Sequence, residues 1–305
     1  MKSPFKNTYT CRWFSGSTLN LVFGLQLSMA RIGSTVNMNV MIHVYNAVGE
    51  FMSAGHRTLG MALMVAAGTC VFSFLCACVI GILDKNAEKK GVVGVAEAGE
   101  EAKISLRDVV NFPLSFWFVT IICVLYYACV FPFVAIALPY FQSHFGLSKS
   151  EAAALNSVIY IMSAPLAPVF GFLIDIVGFN ASFVLLANCM CLAAHLILAF
   201  VPLTPWVGVI TIGISYSMLA SSLWPMVNLL VEKHQLGTAY GLMQSWQNLG
   251  LALIAIAVGK IAEKGWVQIE MFFAGCVACK LSNEQFPSRA IHIYLSRQVS
   301  LLPWH

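Results

Sequence analysis

One arginine in this chain stands where a charge is costly. Arg31 lies inside the apolar stretch that begins at Leu19, with no other charged residue near it. At the centre of a bilayer an arginine on a helix costs roughly 2.5–3.5 kcal/mol by insertion measurements, so it is kept there for a purpose. At 3.6 residues per turn, Asn20, Gly24, Ser28, Arg31, Ser34 and Thr35 share one helical face, while Leu21, Phe23 and Val36 lie off it. Lipid does not tolerate such a face, so it is expected to line a cavity. A buried guanidinium suits a carboxylate, which it grips through two parallel hydrogen bonds. That carboxylate belongs either to a bound solute or to an acidic side chain on another helix, and the residues alone leave both open. Glu151 and Glu270 stand near the ends of apolar runs and are not obvious mates.

Other polar groups at depth are candidates for the same cavity. Tyr126 and Tyr127 in "LYYACVFPF", Asn156 and Tyr160, and Trp224 in "SSLWPMVN" offer apolar area with a polar tip, which suits a ligand of variable shape. Each is equally readable as packing or as an interfacial belt residue. With Ser28, Arg31 and Thr35, the set expected at a binding site is Tyr127, Asn156, Tyr160, Trp224 and Asn248. Gln244 and Gln247 accompany Asn248, facing the cavity or bonding across helices. Pro132, Pro165, Pro168 and Pro225 would kink their helices. His43 and His195 are lone histidines without a second ligand, and Cys276 and Cys279 form a C-x-x-C with no matching pair. Neither a metal site nor a cofactor motif is readable. Intramembrane catalysis would need two aspartates, a Ser-His pair or an H-E-x-x-H helix at depth; none is present, so no enzyme is expected.

The elements that position these residues follow from composition. The chain is 59% hydrophobic and 10% charged, whereas a soluble domain carries about 25% charged residues. It is an all-α, polytopic membrane protein in contact with a lipid bilayer. Its scattered basic residues leave no footprint for nucleic acid. Seven apolar runs of spanning length cover about 19–46, 58–83, 114–140, 152–174, 181–202, 206–230 and 236–259; an eighth, 266–279, is too short to cross and contains Glu270. Residues 84–112 form a charged loop. If that loop is cytosolic, nine basic residues fall inside and four outside, as the positive-inside rule requires. The sequon Asn180-Ala181-Ser182 is then cytosolic, and the leading residues show no cleavable signal.

The first and seventh runs repeat one another. "FGLQLSMARIGSTV" from Phe23 and "YGLMQSWQNLGLAL" from Tyr240 match Gly24, Leu25, Ser28 and Gly33 to Gly241, Leu242, Ser245 and Gly250 at a constant offset of 217. The glycines permit close helix approach, and Asn248 stands where the first copy has Arg31. Two related halves of six helices joined by a charged cytosolic loop are a known transporter plan. In that plan the runs before the loop are helices five and six, and the run with the second copy is helix eleven.

At the end of the fourth run, "GFLIDIVGF" carries Gly171, Asp175 and Gly178. It resembles the loop motif of the major facilitator superfamily, Gly-x-x-x-Asp-basic-x-Gly-basic, which follows helices two and eight. By the same count this run is helix eight. Ile176 and Phe179 occupy the two basic positions, which weakens the expected cytosolic gate. The stretches "VFGLQLSMARIGSTVNMN", "LNSVIYIMSAPLAPVFG", "SYSMLASSLWPMV" and "EKHQLGTAYGLMQSWQNLGLA" resemble a lysosomal, dipeptide-transporting branch of that superfamily over residues 12–278.

The resemblance implies a partial fold, helices five to eleven of twelve with a shortened helix twelve. Residues 1–83 would be the remnant of the first half, 84–112 the central loop, 113–279 the second half, and 280–305 a polar tail. It implies alternating-access movement of dipeptides from lysosome to cytosol, with Arg31 on the peptide's C-terminal carboxylate. It also implies a glycosylated accessory membrane protein as partner. The absence of an acidic residue at mid-depth points to facilitated transport without proton coupling. The shortened halves lead to the expectation of a truncated or spliced form. Two other readings stay open: a non-transporting membrane protein, and a carrier for another small organic solute.

Overall fold

The computed structural model describes residues 10–11, 13–14, 18–51, 55–90, 109, 112–201 and 204–281. No strand occurs among them. The long helices are α1 (Leu19–Phe51), α2 (His56–Lys89), α3 (Leu114–Phe145), α4 (Lys149–Val177), α5 (Asn180–Phe200), α6 (Trp206–Leu230), α7 (Leu236–Ala262) and α8 (Trp266–Leu281). Each expected run coincides with a helix, except that the fifth, 181–202, outruns α5, which ends at Phe200. The helices are longer than the runs where polar ends extend them, and Asp84 and Lys85 belong to α2 rather than to the loop. Most of that loop, and the tail after Leu281, lie outside the described residues.

Among the described residues, six helices, α2 to α7, are long and apolar enough to cross a membrane. The shortest, α5, has 21 residues, about 31 Å at 1.5 Å per residue, enough for a hydrocarbon core of about 30 Å. The first expected span, α1, has the length at 33 residues but is not among the six. Asn20, Gln26, Ser28, Arg31, Ser34 and Thr35 dilute its apolar character. The eighth run is a 16-residue helix, short as expected.

Local chemistry sets the helix ends. Pro113 precedes the first residue of α3, and Gly146, at φ 68°, closes that helix by returning its N–H to the Phe141 carbonyl. Ser148 and Glu151 form a reciprocal capping box at the start of α4. Gly178, at φ 72°, ends α4. Pro132 and Pro139 lie inside α3, Pro165 and Pro168 inside α4, and Pro225 inside α6, each within a continuous helix.

The chain divides into two compact units. One comprises Met1–Ile32 and Ile104–His305, the other Gly33–Lys103. In the first unit α6 packs between α4 and α5, α3 packs on α7 and α8, and α8 also packs on α5. Phe133, Tyr140, Ile159, Val209, Leu219, Leu223 and Met243 are buried along these contacts. Phe172, Leu185, Leu186, Leu253 and Ile256 are exposed on the outer faces, where the surrounding medium is lipid. In the second unit, Thr58 and Ala62 are buried, and an ideal Cβ at Gly49 would sit 3.8 Å from the Thr58 methyl.

One expectation about a single residue needs correction: His195 is not alone. His195 Nδ1 lies 2.7 Å from Glu270 Oε2, and both side chains are sealed from the surroundings. The pair joins α5 to α8, between the rings of Phe133 and Phe273. α8 packs on α5 and α3 with Glu270 buried among them, and a desolvated charge must then find a partner.

Candidate functional site

The first turns of α1 are fixed against α4 by missing side chains. A Cβ on Gly24 would stand 2.4 Å from the Ala167 carbonyl oxygen, and one on Gly171 would stand 2.5 Å from the Asn20 carbonyl oxygen. These two contacts, one turn apart, let the antiparallel backbones touch. Ser221 of α6 donates to the same Ala167 oxygen at 2.8 Å.

That approach brings Asp175, in the last turn of α4, to the N-terminus of α1. One carboxylate oxygen accepts from the Leu21 backbone N–H at 2.7 Å. The other accepts from the Asn20 backbone N–H at 3.1 Å and from Asn20 Nδ2 at 2.7 Å. A carboxylate at this position satisfies orphan amides and meets the positive end of the helix dipole. Asn180 continues the network, donating to Asn20 Oδ1 at 2.7 Å and to the Ser222 carbonyl at 3.1 Å. The sequon asparagine is therefore buried, with its amide nitrogen committed inside the bundle. Ile176 and Phe179, at the basic positions of the motif, are exposed and apolar.

Two turns beyond Gly24 on α1, Arg31 enters an aromatic cluster. Its guanidinium carbon lies 4.6 Å from the ring centre of Tyr216 on α6, 5.3 Å from that of Tyr160 on α4, and 5.9 Å from that of Phe131 on α3. Each such contact is worth about 0.5–2 kcal/mol, the larger values applying away from water. Ring faces offer electron density but no lone pair, so they hold the charge without supplying the in-plane acceptors a carboxylate would provide.

The rings lock one another. Tyr127 stacks on Phe131 at 5.5 Å and meets Tyr216 edge-on at 6.0 Å. Trp224 Nε1 donates to the Tyr127 hydroxyl at 2.8 Å. Tyr240, from the second copy of the repeat, donates to the Trp224 carbonyl at 3.0 Å, and its ring lies 6.4 Å from that of Phe23, its counterpart in the first copy.

The structure thus brings Arg31, Tyr127, Tyr160 and Trp224 into one cluster. Asn156 stands one turn before Tyr160 on α4 and donates to the Val134 carbonyl of α3 at 3.1 Å. Ser28 is half-buried on the turn before Arg31, while Thr35 belongs to the second unit. Asn248 is exposed and donates back to the Gln244 carbonyl of its own helix at 2.8 Å, outside the described contacts of the cluster. Phe131 and Tyr216 were missed from the sequence. Their signal was spacing: Phe131 lies one turn after Tyr127, and Tyr216 lies two turns before Trp224.

Comparison with known proteins bears on both the fold and the site. The chain is 52% identical to the lysosomal dipeptide transporter MFSD1 of Gallus gallus over 278 residues, which are 90% of this chain and 62% of that protein. It is 50% identical to the protein of the same name from Danio rerio, covering 90% of this chain and 60% of the relative. For the Homo sapiens protein of that name the identity is 49%, again over 90% of this chain and 59% of the relative. The chain therefore spans about three fifths of the length of the curated relatives it matches. The model of the Major Facilitator Superfamily matches residues 3–255, and with the repeat, the membrane helices and the Asp175 motif this places the chain in that superfamily.

Proposed function

We propose that this chain serves a lysosomal membrane carrier that moves dipeptides to the cytosol by alternating access, with Arg31 receiving the peptide's C-terminal carboxylate. The observation that carries the reading is the Arg31 cluster, a half-buried guanidinium held by rings from three helices. The relatives' names supply the solute and the compartment. Tyr127, Tyr160 and Trp224 provide apolar walls tolerant of different side chains, and Ser28 of α1 and Asn156 of α4 add polar groups on the helices that carry Arg31 and Tyr160. Asp175, with Gly171 and Gly178, acts as the cytosolic gate, fastening α4 to the start of α1 in one state and releasing it in the other. The charged segment that follows α2 lies on the cytosolic side, between the halves. Transport is facilitated, and a glycosylated membrane partner shields the lumenal face.

The test is saturable uptake of a labelled dipeptide into proteoliposomes holding this chain, its Arg31→Ala variant, or the whole Gallus gallus relative as reference. Uptake that Arg31→Ala lowers at least about 30-fold supports the reading, as expected for the loss of a charge-assisted contact of about 2–3 kcal/mol or more. Uptake by the reference with none by this chain would reject the chain's own competence. Uptake unchanged by Arg31→Ala would reject the carboxylate site.

A further inference from the structure

The buried tyrosines of the bundle differ in one respect. Tyr126 pairs its hydroxyl with Ser215, Tyr127 accepts from Trp224, Tyr140 donates to the Leu198 carbonyl and Tyr240 donates to the Trp224 carbonyl. Tyr216 does not follow them. It is 2% exposed, yet its hydroxyl has no hydrogen-bond partner among the described residues. A buried phenol left this way forfeits about 1–3 kcal/mol, and natural bundles seldom keep such a group without use. It is also the ring nearest to the Arg31 guanidinium, at 4.6 Å. A second atom, one turn from Tyr160 on α4, repeats the pattern: Asn156 Oδ1 is buried without a partner among the described residues, although the nitrogen of that amide is bonded.

We propose that the Tyr216 hydroxyl is a substrate contact, donating to the carboxylate that Arg31 grips. This deepens the reading of Arg31 as a carboxylate site and rests on it. A carboxylate has lone pairs for two guanidinium N–H groups and one more donor. A phenol beside the cation supplies that donor at no cost in charge. The edge contacts of Tyr216 with Tyr127 and Phe131, at 6.0 and 6.1 Å, fix the ring and aim the hydroxyl before the ligand arrives. Asn156 Oδ1, an acceptor only, suits an N–H of the same ligand. Together the three groups select a solute with a free carboxylate and a nearby N–H, and discriminate against one whose carboxylate is capped.

Tyr216→Phe isolates the hydroxyl, because the ring stays under Arg31. Equilibrium binding of tritiated dialanine would be measured on the chain in lipid nanodiscs, with dialanine C-terminal amide as competitor, beside thermal unfolding. The expected result is affinity for dialanine weakened about tenfold or more, a hydrogen bond to a charged group being worth about 1.5–3 kcal/mol. The melting temperature would be unchanged or raised, and the competitor equally weak against both proteins. Unchanged affinity in Tyr216→Phe with a large loss in Arg31→Lys would overturn this proposal and leave the carboxylate site standing. Unchanged affinity in both variants, or no binding by the parent chain, would overturn both. A lowered melting temperature in Tyr216→Phe would make the hydroxyl a structural bond and overturn the proposal alone.

Discussion

The first turns of α1 and the corresponding turns of α7 carry the same repeat and use it differently. Gly24 lets α1 touch the α4 backbone, whereas its counterpart Gly241 has no heavy atom within 4 Å of where a Cβ would be. In the second copy the tight glycine is Gly250, whose Cβ would strike Val124 of α3 at 2.3 Å. Phe23 and Tyr240 are both buried and face each other across the bundle. Arg31 reaches into the aromatic cluster, while Asn248 and Ser245 bond back to carbonyls of their own helix. The lesson is that the repeat preserves where the two helices meet. The chemistry comes from positions at which the copies have diverged.

The largest expected effect tests the scaffold. Gly24→Ala places a methyl 2.4 Å from a backbone oxygen, and neither helix can yield without shifting the whole contact. We expect a loss of about 3 kcal/mol, at the upper end of overpacking costs, seen as a lowered unfolding midpoint in micelles. Gly241→Ala should be neutral or up to about 1 kcal/mol stabilising, since it gains helix propensity in open space. Equal effects at the two glycines would erase the asymmetry.

Asp175→Ala comes next. It strips three hydrogen bonds from the start of α1, and the expected cost is about 1–2 kcal/mol, as for loss of a strong N-cap. Amide exchange at Leu21 should rise in the same variant, and unchanged exchange would show that the cap is idle. Tyr240→Phe removes the bond to the Trp224 carbonyl and the weaker contact with the Cys11 thiol and should cost about 1 kcal/mol. Phe23→Tyr, which makes the first copy more like the second, adds a buried hydroxyl and should destabilise by about as much. The smallest effect is expected at Asn248→Ala, within about 0.5 kcal/mol of the parent, because the residue is exposed and bonds only to its own helix.

Much of this arrangement was legible in the sequence, and for a physical reason. Apolar runs must match the bilayer thickness, so α3 to α7 announce themselves, as does the shorter α8. The offset of 217 pointed to the paired helices, and the cost of burying a charge pointed to Arg31. What stayed hidden depends on which residues distant segments bring together. Phe131, Tyr160 and Tyr216 come from three helices, and no periodicity within one helix says that they converge on a single cation. His195 and Glu270 are 75 residues apart, and neither pattern revealed the other. Gly24 was read correctly as a close-approach glycine, but Gly241 looked identical in sequence and meets nothing. Asp175 was recognised from its motif, while its partners at the start of α1 emerge only from the packing that Gly24 and Gly171 permit.

The central claim is that the diverged position of the first copy, not the repeat itself, holds the carboxylate. Exchanging the two side chains tests it most directly. Binding of tritiated dialanine would be compared between the parent chain, Arg31→Asn, and the double variant Arg31→Asn with Asn248→Arg. Loss of binding in Arg31→Asn with no rescue in the double variant is the predicted result, since only the first copy meets the rings of Phe131, Tyr160 and Tyr216. Binding retained in Arg31→Asn, or restored by an arginine at position 248, would contradict it.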